Sequence, residues 1–290
     1  FGSSFTPPAR YWRNINEKNR EFNLSAIMPV SADLKVKLGG NYMKKLRDQR
    51  QWQFYLQGGA SHEYSGSFDE FLQQTGIKDS TLIDPANSRY RYNMYNYWSN
   101  ATYARDQYDA HQTVSAGFGQ VEAKVVESLD AVFGLRYEKT DMYSKNQDTA
   151  RAADIQATDW LPAVSLVYHL KKDMNVRFAY GRTLARPSLR EISTFAAEEF
   201  TGSRFLHGNP NLDYTKIQNY DLRWEWFFRP NEIAAVSVFY KRFKNPIEVA
   251  MFGNNYDRMP INVPKATSKG LEIELRAGLD RVAKSLRNFS

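Results

Sequence analysis

The 290-residue sequence contains no cysteine. That excludes disulfides, thiolate nucleophiles and any zinc or iron–sulfur site held by sulfur, and it fits, without requiring, an oxidising compartment. Histidine is scarce: four residues, at positions 62, 111, 169 and 207, never paired at metal-ligand spacing. No HExxH, G-x-S-x-G or phosphate-loop motif occurs. No metal site and no cofactor is therefore expected, and nothing marks the chain as an enzyme. Continuous apolar runs are missing too. None approaches the roughly 18 residues of a spanning helix, which excludes a helical membrane protein. A membrane β-barrel stays open, because its strands hide their lipid face in alternation. The first residues, FGSSFTPPARYWRN, lack the basic-then-apolar pattern of a signal peptide. They fit either a cytoplasmic protein or a mature or internal piece of an exported one.

What the sequence has is period two. Hydrophobic residues make up 42% and charged residues 24%, so long disorder is not expected. The 18 Tyr and 18 Phe stand out in the alternating runs. Tyr220, Leu222, Trp224, Trp226 and Phe228 alternate with Asp221, Arg223 and Glu225. A strand sends successive side chains to opposite faces, so one face is wholly apolar and the other charged. The same pattern recurs at 34–42, 131–138, 164–170, 176–181 and 271–276. Between Val114 and Val125 the apolar parity switches near Gly119, which predicts a bulge.

The connections alternate in length. Short links at 29–33, 126–129, 171–174 and 229–232 carry turn-forming Pro, Asp and Asn. Long, polar, non-periodic links fall at about 58–100, 144–158, 184–215 and 246–264. Tight turns at one end and large loops at the other are the layout of an outer-membrane barrel. A soluble sandwich has turns at both ends without that polarity. The expected fold is therefore all-β: an antiparallel up-and-down transmembrane β-barrel, with about nine strands in this chain.

Two groups of residues are candidates for function. Lys35, Lys37, Arg136, Glu138, Arg177, Asp221, Arg223, Glu225, Glu272, Glu274 and Arg276 fall opposite the apolar face and are expected to line the lumen. Their signs are mixed, so neighbouring strands can pair them; they form either a solvated wall or a seat for a polar plug. The segment 89–98 places Arg89, Tyr90, Tyr92, Tyr95, Tyr97 and Trp98 together with asparagines. Rings that stack and amides that hydrogen-bond suit capture of a sugar, peptide or siderophore, and the same residues would also serve as an aromatic girdle at the headgroup level. The formal charge of +7 admits a soluble β protein binding single-stranded nucleic acid. The aromatics, however, sit on apolar faces rather than among the basic residues, so no nucleic-acid partner is expected.

An ordered series then carries a resemblance. It runs Trp160-Leu161-Pro162-Ala163, Gly181-Arg182-Thr183-Leu184-Ala185-Arg186-Pro187-Ser188, Gly208-Asn209-Pro210-Asn211-Leu212, Asn219-Tyr220-Asp221-Leu222, Phe239-Tyr240-Lys241 with Asn245-Pro246-Ile247, and Lys269-Gly270-Leu271-Glu272-Ile273-Glu274-Leu275. With Phe133–Thr140 and the opening Pro8–Arg13, it resembles the C-terminal barrel of TonB-dependent outer-membrane receptors, and is most similar to the Bacteroidetes type. The resemblance implies a bacterial outer-membrane location, lipid contact and a barrel of about 22 strands. Residues 1–290 would form part of that single barrel domain, with the plug domain and last strands outside this chain. It further implies import of a ligand too large for porins (a siderophore, glycan or peptide), driven by a TonB complex acting through the plug. A surface lipoprotein or other outer-membrane subunits would be further partners. The alternative is a structural barrel subunit of a multi-protein outer-membrane complex.

Overall fold

Nine long strands follow one another, each hydrogen-bonded antiparallel to the next, in the computed structural model: β1 (Ala9–Ser31), β2 (Leu34–Gln57), β3 (Tyr108–Val126), β4 (Leu129–Asn146), β5 (Ala153–Lys171), β6 (Met174–Ala185), β7 (Thr215–Arg229), β8 (Glu232–Lys244) and β9 (Lys265–Arg276). The structure describes residues 9–57, 77–86, 89–94, 97–146, 152–198, 204–254 and 256–278. No helix among these residues is long and apolar enough to cross a membrane.

Two-residue turns at 32–33, 127–128, 172–173 and 230–231 close four hairpins at one end. Asn231 takes the left-handed conformation, φ 65°, that asparagine tolerates better than most residues. At the other end the links are of unequal length. The link from β4 to β5 spans only 147–152, not the 144–158 expected, because the ladder continues to Ser144↔Ala153. There the outward residues turn polar (Asp141, Lys145, Asp154, Gln156) while main-chain pairing persists, so loss of apolar alternation marks the edge of the lipid zone and not the end of the strand.

The remaining long links also hold strands. Ala196–Glu198, Phe205–His207, Asp257–Asn262 and Ile247–Phe252 make a four-stranded sheet, Ile77–Asp84 pairs with Arg89–Met94, and Tyr97–Asn100 pairs with the end of β2. The expected bulge at Gly119 is absent: the pairing runs without a shift from Tyr108↔Asn146 to Lys124↔Asp130. Parity switches because Val114, Ala116 and Phe118 all face inward, and Phe118 lies across its partner Gly39; a Cβ there would meet the ring at 2.6 Å. Phe239 covers its partner Gly270 in the same way, at 2.5 Å.

The register assigns the faces. Ile27, Lys37, Gln120, Gly134, Ala163, Gly181, Asn219, Lys241 and Ser268 form one inner row across all nine strands. The outer face between them is apolar and exposed: Leu38, Phe133, Leu135, Leu222, Val236, Val238, Leu271 and Ile273. Aromatic residues bound this stripe. Toward the long links lie Tyr42, Tyr137, Trp160, Tyr180, Tyr220 and Tyr240, with ring centroids 4.9 Å apart for Tyr137–Trp160 and 5.0 Å for Tyr180–Tyr220. Toward the turns lie Tyr168 and Trp226, whose indole N–H donates to the turn carboxylate of Asp173 at 2.9 Å. An apolar body with one wet polar end is what a membrane interface selects. From Tyr220 to Phe228 the strand rises about 26 Å at about 3.3 Å per residue, enough for the apolar band of a tilted barrel strand.

The two faces of one strand should answer oppositely to the same substitution. Leu222→Arg puts a cation on the lipid face and is expected to destabilise the barrel in lipid by about 2–4 kcal/mol. Asp221→Arg, one residue away on the inner face, is expected to change stability by less than about 1 kcal/mol. Equal losses in urea unfolding from lipid vesicles would refute the assignment of faces.

Candidate functional site

The candidate site is the inner wall and the segment folded onto it. On β6 to β9 the inward charges join into one chain. The Glu225 carboxylate, 7% exposed, accepts from Arg177 Nε at 2.6 Å and from Arg223 Nε at 2.8 Å. Arg223 also donates to Ser237 Oγ at 2.9 Å and to Glu274 at 2.7 Å, and Arg276 reaches the other Glu274 oxygen at 3.4 Å. The parts recur at the i, i+2 spacing that keeps two side chains on one face of a strand. A second cluster lies on β2 and β4, where Arg136 donates to Glu138 at 2.8 Å and to Asn41 Oδ1 at 2.7 Å.

These contacts unite seven of the eleven residues expected on the lumen face: Arg136, Glu138, Arg177, Arg223, Glu225, Glu274 and Arg276. The other four are not drawn in. Lys37 lies over the Phe118 ring at 5.9 Å. Lys35 stands opposite Glu122, whose carboxylate accepts from Gln120. Asp221 and Glu272 are exposed and make no ion pair among the described residues.

Nearer the long links, the inner wall is covered. Residues 186–198 and 204–214 fold back over it, and Leu189, Ile192, Phe195, Leu212 and Tyr214 pack on inward Tyr108, Met142, Ala153 and Ile155. Tyr108, Met142, Ile192 and Ala153 are fully buried. The segment buries Leu189, Ile192, Phe195 and Leu212, and at about 1.5–3 kcal/mol each this burial is the main force holding it inward.

Polar contacts fix its position. Arg186 donates to Thr140 Oγ1 at 3.0 and 3.1 Å and pairs with Glu138, which is 6% exposed and already holds Arg136. Burial pulls the Arg186 pKa down, and neighbouring Arg136 adds to that, so the carboxylate between them is what keeps two crowded guanidinium groups compatible. Gly208 rests directly on the main-chain oxygens of Arg190, Glu191 and Ser193, with no room for a Cβ. Asn209 bonds Glu191 O through its own N–H at 2.6 Å, and its side chain donates to Pro260 O at 3.0 Å.

Over residues 2–289 the chain matches the family model described as "TonB dependent receptor-like, beta-barrel". The chain belongs to the TonB-dependent receptor β-barrel family. Solved structures agree on the fold. The ferric citrate transporter FecA in its unliganded form superimposes with a TM-score of 0.57 at 15% identity, covering 97% of this chain and 34% of that one. The copper transporter OprC gives 0.58 at 16%, covering 94% and 36%. The alcaligin receptor FauA from Bordetella pertussis gives 0.51 at 13%, covering 92% and 36%. The chain thus spans about a third of the length of these structures. No curated protein is significantly similar in sequence. Proteins of this family are receptors and transporters rather than enzymes, and reside in the Gram-negative outer membrane.

In this receptor barrel the aromatic segment falls within the link from β2 to β3. Arg89, Tyr90 and Tyr92 lie on the strand paired with Ile77–Asp84; their side chains, and all of Tyr95, lie outside the described residues. Tyr97 and Trp98 pair with Gln57 and Leu56 at the end of β2. Tyr97 Oη donates to Gln57 Oε1 at 3.2 Å, and Arg10 stacks on Trp98 at 4.8 Å. These two rings sit some fifteen residues along β2 from Tyr42, about 50 Å of strand, well beyond the aromatic band.

Reading the sequence missed Arg186, Asn41, Thr140 and Gly208 as parts of one assembly. The signals present were the Ala185-Arg186-Pro187 and Gly208-Asn209-Pro210 runs, whose local chemistry is that of a strand end and a turn. Proline 187 does end β6, but by sending the chain inward rather than out.

Glu138 is therefore the joint between wall and segment. Glu138→Gln leaves Arg136 and Arg186 facing each other without a counter-charge and is expected to lower stability by about 1–3 kcal/mol. Residues 186–214 should become the first cleaved in limited proteolysis, while the strands of the wall stay protected. Cleavage as slow as in the wild type would mean that the apolar contacts alone hold the segment.

Proposed function

We propose that this chain is part of the ligand-conducting wall of a TonB-dependent importer, taking up a ligand too large for porins. The carrying observation is the contrast between the two faces of the same nine strands. Outside is an apolar band with aromatic margins; inside, below the covered end, is a largely polar surface on which Arg177, Arg223 and Arg276 are paired with Glu225 and Glu274. A wall so paired holds water and a polar occupant without a strong charge bias. That suits both a polar plug domain and passage of ligands of either sign.

The sheet also has open edges at β1 and β9 among the described residues. Unpaired main-chain groups are not tolerated in lipid, so further strands complete the barrel, which we place at about 22 in total. A plug domain and the TonB complex that moves it belong to the same reading, as does ligand capture by the long links, with Tyr97 and Trp98 as contributors. Ferric citrate, alcaligin and copper are named for the similar structures, so a chelated metal is the ligand class to test first.

The test is uptake. A strain lacking the full-length receptor is expected to lose uptake of one radiolabelled metal chelate while small-solute entry through porins is unchanged. Loss of TonB should reproduce the defect. Normal uptake of chelates, glycans and peptides in the deletion strain would refute import as the function.

A further inference from the structure

Two rows of cations stand on the outer face just beyond the aromatic margin, where the sequence pattern showed only the end of the apolar stripe. Tyr180, Tyr220 and Tyr240 are direct cross-strand partners on β6, β7 and β8. Two residues farther along each strand, Arg182, Gln218 and Arg242 are partners; two farther again, Lys216, Lys244 and Lys265 are partners on β7, β8 and β9. Like charges directly opposite one another destabilise a sheet, and here three lysines stand side by side.

One carboxylate relieves one of these lysines and no more. Asp159 accepts from Lys216 at 2.8 Å and is committed to it. Arg182 donates to the Tyr180 hydroxyl at 3.1 Å. Arg182, Arg242, Lys244 and Lys265 have no ion pair among the described residues and are exposed.

The wall also opens at this place. β5 and β6 pair only as far as Ala163↔Gly181, although both strands continue. Beyond that point a cleft of about 710 Å³ lies between the free edge of β5 at 158–161 and the cationic rows, with Asp159, Arg182, Lys216, Arg242, Lys244 and Lys265 in its lining. Trp160, more than half exposed, forms part of the rim. The arrangement is amphipathic along the membrane normal: cations above, then aromatic rings, then the apolar stripe of Leu222, Val238 and Leu271.

We propose that this cleft binds the phosphate-bearing headgroup of an outer-leaflet lipid. The phosphate supplies the missing counter-charge to Lys244, Lys265, Arg182 and Arg242, and the acyl chains continue down over the aromatic row. A soluble anion would satisfy the cations but leave the rings and the stripe below them unused, which favours a lipid. The inference rests on the outer-membrane barrel and not on import, so a strain with normal chelate uptake would leave it standing.

The test uses the full-length receptor in phosphatidylcholine nanodiscs, with phosphatidic acid as the probe and diacylglycerol as its uncharged counterpart, and retained lipid counted by native mass spectrometry. Phosphatidic acid should be held in preference to diacylglycerol and should not be displaced by inorganic phosphate at equal concentration. Lys244→Gln and Lys265→Gln should each weaken retention about fivefold, the contribution expected of one basic residue near an anionic lipid surface. The charge-keeping pair Lys244→Arg and Lys265→Arg should retain it, as should Lys44→Gln, a neutralised outward lysine on β2. Undiminished retention in the glutamine variants, equal binding of diacylglycerol, or an equal loss in Lys44→Gln would overturn the proposal. Full displacement by inorganic phosphate would overturn the lipid assignment and make the cleft a soluble-anion site.

Discussion

Everything in this barrel depends on main-chain hydrogen bonding that is continuous from strand to strand. In lipid no water is present to satisfy an amide, so each ladder must hand on to the next without a gap. The inner row from Ile27 to Ser268 is the visible result. Because side chains alternate with a period of exactly two residues, a slip of one position anywhere would turn a whole strand inside out, placing Arg223 in lipid and Leu222 in the lumen. The register is therefore strongly specified by what the two faces must touch. The inward rings of Phe118 and Phe239 belong to the same logic. A large apolar group on the polar side finds cover on the flat backbone of Gly39 or Gly270, and the strand keeps its parity instead of bulging.

The alternation, the short and long links and the mixed charges of the inner face were legible in the sequence because each is local. Two neighbouring residues, such as Asp221 and Leu222, already declare the faces. Partnership was not legible. Arg223 meets Glu274 diagonally, although the ladder sets it in one row with Ser237 and Glu272, and no spacing within one strand reveals that. The link at 144–158 was misjudged for a related reason: apolar alternation reports contact with lipid, while strand pairing reports the ladder, and beyond the membrane the two part company. Before Gly119 three inward apolar residues, Val114, Ala116 and Phe118, imitated a shift of parity.

The long links show the limits of composition most clearly. Polar, Gly- and Asn-rich sequence reads as loop, yet 186–198 and 204–214 are packed on the wall. Their apolar residues are few and widely spaced, Leu189, Ile192, Phe195 and Leu212, with no period to announce them. Their partners, Tyr108, Met142 and Ile155, lie on three strands elsewhere in the chain. Only the assembled wall brings the two sets together. Gly208 is informative in retrospect: a glycine at a site where three main-chain oxygens converge is required by close approach and not by a turn.

Charge is handled differently on the two faces, and the difference carries functional meaning. Inside, nearly every arginine has a carboxylate within hydrogen-bond reach, and Glu138 and Glu225 each serve two. Removing one member leaves an unbalanced charge in a half-buried place, so the inner network resists change and stays near neutrality. Outside, beyond Tyr180, Tyr220 and Tyr240, Arg182, Arg242, Lys244 and Lys265 are aligned and have no carboxylate partner among the described residues. A sheet that can pair arginine with glutamate so fully on one face does not leave four aligned cations without a carboxylate on the other for want of acidic residues. The imbalance has its physical counterpart in the surroundings: an inner wall that meets water and polar groups of both signs, and an outer wall that meets, at one height only, a layer of anions.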